Sequence, residues 1–351
     1  MSLATNRFAA ERQAWMQRLL PDGVPTLWCP LLTHYTDDGA LDRPRMRAQL
    51  DFLRSSVKGF LIPGSTGDAW ELSDVETREL LEFAVAESAE RRFALLIGVL
   101  KPTTAEMLAD LEATTAWLRR RTGADDTTEA LRRASVCGFT VCPPRGAGLS
   151  QQQNRDELDR LLATGLPFSL YQLPQVTGNE MAPETVAWLA ARHPNLLLLK
   201  DTSGADRVAA SGLRGVFLVR GAEGDYGRHL AMRGGAYDGF LLSTANAFGP
   251  QYAQMIADLR EGRTESADAL SARIAALAGE VFEAAARVPQ GNAFTNANKA
   301  LDHFMAHGPR AAGRPGPRLH GGDRLPDDLI ALAGAALARH GLMPTRGYLE
   351  R

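Results

Sequence analysis

Three kinds of side chain in this sequence suit covalent work on a carbonyl group. Lys200 closes the run Leu196-Leu197-Leu198-Leu199 and is followed at once by Asp201-Thr202-Ser203-Gly204. Four leucines in a row, between His193-Pro194-Asn195 and a Thr-Ser-Gly turn, read as a short strand buried on both faces. A lysine at the end of such a strand is poorly solvated, which disfavours its ammonium form and lowers its pKa. The neutral amine attacks carbonyls and forms Schiff bases. Alone, a lysine in this place reads more simply as one that snorkels out of a strand end. Two further stretches change the balance. Tyr171 stands near the end of the apolar segment Pro167 to Leu173, and Gly64-Ser65-Thr66-Gly67-Asp68 follows the apolar segment Gly59-Phe60-Leu61-Ile62-Pro63. An amine, a phenol and hydroxyls facing one mouth suit Schiff-base chemistry on a 2-oxo acid. The lysine forms the imine, and the tyrosine moves protons as it forms and as a C–C bond breaks. The Ser-Thr loop orients the phenol, and hydroxyls with backbone N–H groups hold the carboxylate.

For these residues to meet, they must sit at the same end of neighbouring parallel strands, and the chain is patterned to do this. Strand candidates are Pro25 to Thr33, Gly59 to Pro63, Phe93 to Leu100, Val136 to Cys142, Pro167 to Leu173, the lysine strand, Val216 to Arg220 and Gly239 to Ser243. Helical segments lie between them. Leu41 to Lys58 is amphipathic, with Met46, Leu50, Leu53 and Val57 on one face. Ser73-Asp74-Val75-Glu76 is a capping box that opens a helix to about Arg92. Thr104 to Arg121, Arg155 to Leu162, Pro183 to Arg192 and a stretch around Arg228 to Met232 complete the series. Eight strand–helix units in strict alternation predict an α/β protein with a closed (β/α)8 barrel, a TIM barrel, whose active site gathers at the C-terminal strand ends. An N-terminal helical extension (1–24, with a helix from Phe8 to Leu20) precedes the catalytic barrel (25–262). A C-terminal helical extension (263–351) follows, with helices at Ala267 to Arg287, Asn296 to His307 and Asp327 to His340 around a Gly-, Pro- and Arg-rich loop at Gly308 to Leu325. The polar segment Arg119 to Ala134 reads as an insertion or helix extension on the outside.

Composition narrows the function classes. Of 351 residues, 45% are hydrophobic and 23% charged, and 39 basic against 41 acidic residues leave a net charge of −2. No strong field favours nucleic acid or an anionic membrane. Cys29, Cys137 and Cys142 are too few and wrongly spaced for a zinc knuckle or a disulfide framework, and read as reduced core thiols. No uncharged run reaches the length of a membrane span, and Arg7, Glu11, Arg12 and Arg18 break up any apolar centre of a secretory signal, so the expectation is a cytoplasmic protein. The Gly-rich loop lacks the Lys-Ser/Thr ending of a P-loop. His303 and His307, spaced i, i+4, have no Glu-based motif beside them and read as a surface or interface pair rather than a metal site.

The chain resembles the dihydrodipicolinate synthase / N-acetylneuraminate lyase family of class I, Schiff-base-forming aldolases. The resemblance rests on Gly64-Ser65-Thr66-Gly67-Asp68 with Leu72-Ser73 and Glu76, where the family usually has Gly-Thr-Thr-Gly-Glu before Leu-Ser and Glu. It rests also on Tyr171-Gln172-Leu173-Pro174 with Thr177-Gly178, on Leu199 to Gly204, on Gly239 to Asn246, and on Asn298-Lys299-Ala300-Leu301. These marks occur in family order over roughly Pro25 to Met343. The resemblance implies Lys200 as the Schiff-base lysine, Tyr171 as the proton shuttle and Thr66 as the hydroxyl of the relay. Ser65 and Thr66 would bind the carboxylate, and Gly64, Thr202, Gly221 and Leu241 complete the implied substrate-binding set. It implies no metal and no cofactor, a small 2-oxo acid and an aldehyde as partners, and a homo-oligomer built as a dimer of dimers.

Two departures qualify the implied activity. Dihydrodipicolinate synthases carry an arginine after the Tyr-x-x-Pro element to hold the aldehyde's carboxylate; here Val176 stands there, and valine cannot pair with a carboxylate. Those enzymes end the fourth strand in Pro-Tyr-Tyr, lending a tyrosine to the neighbouring subunit's relay; here the sequence reads Pro143-Pro144-Arg145. The expectation is therefore a class I lyase acting on pyruvate or a related 2-oxo acid, and not a true dihydrodipicolinate synthase. A 2-keto-3-deoxy sugar acid aldolase or dehydratase, or a hydratase-aldolase acting on an aromatic or hydrophobic aldehyde, shares the same imine. The rival from another class is a non-catalytic barrel that binds 2-oxo acids.

Overall fold

Eight short apolar strands close on themselves in the computed structural model of the protein, which describes residues 8–350. The first part of the expected N-terminal extension, residues 1–7, lies outside them. The strands are β1 (Leu27–Pro30), β2 (Gly59–Ile62), β3 (Ala94–Gly98), β4 (Val136–Val141), β5 (Phe168–Gln172), β6 (Leu196–Asp201), β7 (Phe217–Arg220) and β8 (Gly239–Leu241). They neighbour one another in sequence order, all parallel, and β8 returns to β1 through Leu27↔Phe240 and Trp28↔Leu241. Apart from Ala94 and Phe217, every strand residue is buried. That is why the strands read as continuous apolar runs: a barrel strand faces packed side chains inside and helices outside.

The helices are α1 (Ala9–Leu19), α2 (Arg43–Leu53), α3 (Asp74–Arg91), α4 (Thr104–Thr122), α5 (Thr127–Arg133), α6 (Gln151–Leu162), α7 (Pro174–Thr177), α8 (Pro183–Ala190), α9 (Arg207–Ala210), α10 (Tyr226–His229) and α11 (Ala245–Arg260). The C-terminal extension adds α12 (Thr264–Ala285), α13 (Ala293–His307) and α14 (Asp327–Arg339). The capping box at Ser73 and Glu76 starts α3 as expected, and Thr103 with Glu106 and Ser150 with Gln153 do the same for α4 and α6. α1 is fastened by buried Arg12, whose guanidinium donates to the carbonyls of Ala190, His193 and Leu196 beside β6.

Several local expectations are corrected. Of the two readings of Arg119 to Ala134, the helix extension holds and the insertion does not: α4 runs on to Thr122, Gly123 caps it in the left-handed region, and α5 leads straight into β4. The stretch around Arg228 to Met232 is no full helix but one turn, α10, and a 3-10 turn at Ala231–Arg233 that ends at Gly234. His303 is not on the surface. The 3-10 segment Gly308–Gly313 covers it, its Nε2 lies 3.0 Å from the Ala311 carbonyl, and burial depresses its pKa to about 4. Among the described residues no helix is long and apolar enough to cross a membrane.

Candidate active site

Tyr171 and Lys200 are register partners across β5 and β6, and the next pair is Gln172↔Asp201. Partners on adjacent parallel strands project to the same face, so phenol and amine emerge together at the C-terminal end of the barrel. Both residues are 3% exposed. The lysine Nζ stands 4.1 Å from the centre of the tyrosine ring. Burial lowers the Lys200 pKa to about 7, against the weaker opposing pull of Cys142, Glu223 and Cys29. The amine is thus held close to the point where it is half neutral in ordinary buffer.

Thr202 and Gly221 make room for that lysine. The Thr202 hydroxyl and backbone N–H both donate to the Gln172 carbonyl, at 2.6 and 3.0 Å, tying the ends of β5 and β6 together. A Cβ at position 221 would lie 2.4 Å from Thr202 Cγ2, 2.8 Å from Lys200 Cε and 3.2 Å from the Leu241 carbonyl. Only glycine fits there, because the lysine chain passes over it. Leu241 contributes that carbonyl, whereas its side chain is part of the main core.

Ser65–Gly67 forms a 3-10 turn after β2, closed by Gly67 and Ala69 N–H groups donating to the Gly64 carbonyl. Successive side chains of so tight a turn point about 120° apart. The Ser65 hydroxyl is one of the two that act on the Tyr171 phenol. Burial raises the phenol's pKa, and the hydroxyls of Ser65 and Thr202 draw it back down. The Ser65 oxygen also accepts from Trp70 Nε1 at 2.9 Å. Thr66 is buried in the same turn.

The C-terminal extension braces this turn. Thr295 Oγ1 on α13 donates to the carbonyls of Ser65 (3.3 Å) and Thr66 (3.1 Å), and Asn292 Nδ2 donates to Ser65 O at 3.4 Å. Asp68 follows with φ of 62°, a left-handed conformation that aspartate tolerates. Its Oδ2 accepts from Tyr35 Oη at 2.9 Å and from fully buried Lys299 Nζ at 3.4 Å. The motif Asn298-Lys299-Ala300-Leu301 is therefore the anchor of the turn, some 230 residues away in sequence.

Two parts of the rim lay beyond sequence reasoning. Glu223, three residues past β7, accepts from Ser243 Oγ (2.8 Å), Thr244 Oγ1 (2.7 Å) and Tyr226 Oη (2.9 Å), and its charge is felt at Lys200. The signal was present: a carboxylate just after a strand in Gly221-Ala222-Glu223-Gly224. On the other side, Ala69, Leu100, Cys142, Tyr171 and Leu173 form a small apolar cluster of their own, and Trp70 and Val176 pack against it. The Arg145 guanidinium lies 5.6 Å from the Trp70 ring centre, and its Nε donates to the Val176 carbonyl at 3.3 Å. Pro144 brings no phenol to this rim; its carbonyl accepts from Asn179 Nδ2 at 2.7 Å.

The fold is a closed parallel (β/α)8 barrel with an amine and a phenol side by side at its C-terminal mouth. Residues 118–294 match the profile of the Dihydrodipicolinate synthetase family. A 4-hydroxy-tetrahydrodipicolinate synthase of Xanthomonas axonopodis pv. citri is 32% identical over 248 residues, 70% of this chain and 76% of that one. The Escherichia coli protein named "Probable 2-dehydro-3-deoxy-D-pentonate aldolase YjhH" is 30% identical over 176 residues, 49% of this chain and 52% of that one. Among solved structures, YagE from E. coli K12, a prophage protein of the same family in complex with pyruvate, superposes with a TM-score of 0.69 at 21% identity, covering 91% of this chain and 99% of that one. The chain belongs to the dihydrodipicolinate synthase family. Members of this family are lyases of the class I aldolase type, and this chain is an enzyme of that type.

Proposed function

We propose that the enzyme makes or breaks a carbon–carbon bond, or removes water, next to a 2-oxo acid held as an imine on Lys200, with pyruvate or a close relative as that acid. The observation that carries this reading is the buried Lys200 amine, with its pKa lowered to about 7, 4.1 Å from the ring of Tyr171. The neutral Nζ adds to the C2 carbonyl, and water leaves from the carbinolamine. The iminium that remains makes the C3 protons acidic. Tyr171 gives its phenolic proton to the hydroxyl that departs as water, and the phenolate then takes one of the C3 protons, giving an enamine whose C3 attacks an aldehyde carbonyl; the new alkoxide takes that proton from Tyr171, and water releases the product. Cleavage is the reverse. The hydroxyls of the Ser65–Gly67 turn and its first N–H groups hold the carboxylate, and Thr66, with Ser65 beside it, supplies the relay hydroxyl. The iminium is itself the electron sink, so the scheme calls on no metal or cofactor.

The second substrate is an aldehyde without a carboxylate at the rim, which makes true dihydrodipicolinate synthase activity a poor fit. Val176 and the Pro143-Pro144-Arg145 sequence support this, since the first offers no cation and the second no phenol to a neighbouring subunit. A homo-oligomer is proposed on family grounds alone. The test is the intact mass of the protein after borohydride reduction with pyruvate and a panel of 2-oxo acids. An adduct in wild type and none in Lys200→Ala is expected. No adduct with any acid would refute the aldolase reading, and an adduct that survives in Lys200→Ala would move the imine to another lysine.

A further inference from the structure

The mouth of the barrel has two arcs of opposite chemistry, with Lys200 on β6 between them. Over β3, β4 and β5 the strand ends carry Leu100, Cys142, Tyr171 and Leu173, which belong to an apolar cluster separate from the main core. Trp70 and Val176 pack against that cluster and keep part of their own surface open. Lys101, next after Leu100, is drawn away to Asp74 at 2.7 Å. The indole is held in place: its Nε1 donates to Ser65 Oγ at 2.9 Å, and the Arg145 guanidinium lies 5.6 Å from its ring centre.

Over β7 and β8 the side chains are polar, but they are spent on one another. Glu223 Oε1 accepts from Ser243 Oγ (2.8 Å) and the Thr244 N–H (3.2 Å). Its Oε2 accepts from Thr244 Oγ1 (2.7 Å) and Tyr226 Oη (2.9 Å). An ionised carboxylate offers about four acceptor positions, and these donors fill them. Each hydroxyl gives up its only proton in doing so. A substrate hydroxyl that sought this carboxylate would have to displace a bond already made.

The proton that the aldehyde needs decides where it lies. The alkoxide formed at its carbonyl takes a proton from Tyr171, so that carbonyl must stand against the phenol. The remainder of the molecule then extends along the arc to which Tyr171 belongs, past Leu173, Val176 and Trp70. Hydroxyls placed there would leave water and find no partner, which is the costly case for a polar group. A flat ring loses nothing there and gains contact with the indole.

We propose that the second substrate is an uncharged aromatic aldehyde seated with its ring against Trp70, so that the bond made or broken joins C3 of the 2-oxo acid to a carbon bearing an aryl group. C3 of the enamine bonds to the carbonyl carbon, and the carbonyl oxygen takes the Tyr171 proton. Water then hydrolyses the iminium, returning the Lys200 amine and a 4-aryl-4-hydroxy-2-oxo acid. Cleavage runs the same steps backwards and releases the aryl aldehyde. This rests on the imine reading above and deepens it by naming the class of aldehyde.

Benzaldehyde and glyceraldehyde are each supplied with pyruvate, and kcat/KM is measured from the aldol product by chromatography with mass detection. Borohydride trapping of pyruvate alone is run beside it. Wild type should prefer benzaldehyde by about 30-fold or more, although benzaldehyde is the less electrophilic of the two. Trp70→Phe and Trp70→Leu both remove the bond to Ser65, and only the first keeps an aromatic face. The preference should stay within about threefold of wild type in Trp70→Phe and fall about tenfold or more in Trp70→Leu, through KM for benzaldehyde. Should Trp70→Leu fail to fold, the wild-type preference decides. Glyceraldehyde used as well as benzaldehyde, turnover of neither, or the same preference in both variants overturns the proposal, while a pyruvate adduct in wild type leaves the imine reading intact. Absence of that adduct removes both.

Discussion

The amine of Lys200 sits 4.1 Å above the ring of Tyr171, its register partner on the neighbouring strand. The ring and the burial act on the amine in opposite senses. The face of an aromatic ring attracts an ammonium ion by roughly 0.5–2 kcal/mol, which favours the charged lysine. Complete burial opposes that charge more strongly, and the pKa settles at about 7. The arrangement keeps a nucleophile available without leaving it permanently neutral.

A pH profile follows directly. Below about 7 the lysine holds its proton and cannot attack; above it the amine is free. The rate constant for trapping pyruvate on wild type should climb through about pH 7 and level off by about pH 8 to 9. Rapid-quench borohydride reduction followed by mass spectrometry measures it. An inflection near the ordinary lysine value of 10.5 would show that burial does not control this amine.

Gly221→Ala should injure catalysis more than folding. The new Cβ would meet Lys200 Cε at 2.8 Å and Thr202 Cγ2 at 2.4 Å, so one of these chains must move. Overpacking of this sort costs about 1–3 kcal/mol, which an intact barrel tolerates, but the displaced lysine loses its alignment. Trapping should slow about 100-fold or more with the protein still folded by circular dichroism. Wild-type trapping rates in a folded variant would mean that the lysine does not depend on this gap.

Val176→Arg tests the choice of aldehyde. The position lies beside the Trp70 and Tyr171 cluster, where a guanidinium would face the mouth. A charge-assisted hydrogen bond contributes about 1.5–3 kcal/mol. The variant should therefore lower KM for a carboxylated aldehyde about 10- to 100-fold while changing little for an uncharged one. Equal use of both aldehydes by wild type, unchanged in the variant, would remove Val176 as a determinant.

Lys299→Met should destabilise the enzyme and loosen the carboxylate turn together. It leaves Asp68 buried with Tyr35 but without its cation. Breaking a buried pair from one side costs about 3–5 kcal/mol. Thermal melting should show this loss, and KM for pyruvate should rise several-fold because Ser65 and Thr66 follow the Asp68 backbone. The double variant Asp68→Asn/Lys299→Met, which removes both charges, should recover part of the stability. No recovery would mean that Lys299 works through its carbonyl contact to Arg318 instead.

The barrel and its lysine were legible in the sequence because both are written locally. Four leucines before Lys200 state a strand buried on both faces, and the alternation of such strands with capped helices states the closed parallel sheet. The placement of Tyr171 beside Lys200 needed only the rule that strand ends of a barrel share one mouth. What the tertiary structure alone decided are relationships between residues that local spacing does not connect. The Ser65 hydroxyl accepts from the Trp70 indole because the turn after β2 folds back over its own next residues, and the sequence Ser-Thr carries no mark of that contact. The anchoring of that turn by Thr295 and Lys299 joins segments some 230 residues apart. The carboxylate of Glu223 and the indole of Trp70 are ordinary loop residues until the barrel closes and brings four strand ends to one rim. Strand and helix follow from patterns of solvation along a few residues of chain; the partner that a hydroxyl meets follows from packing.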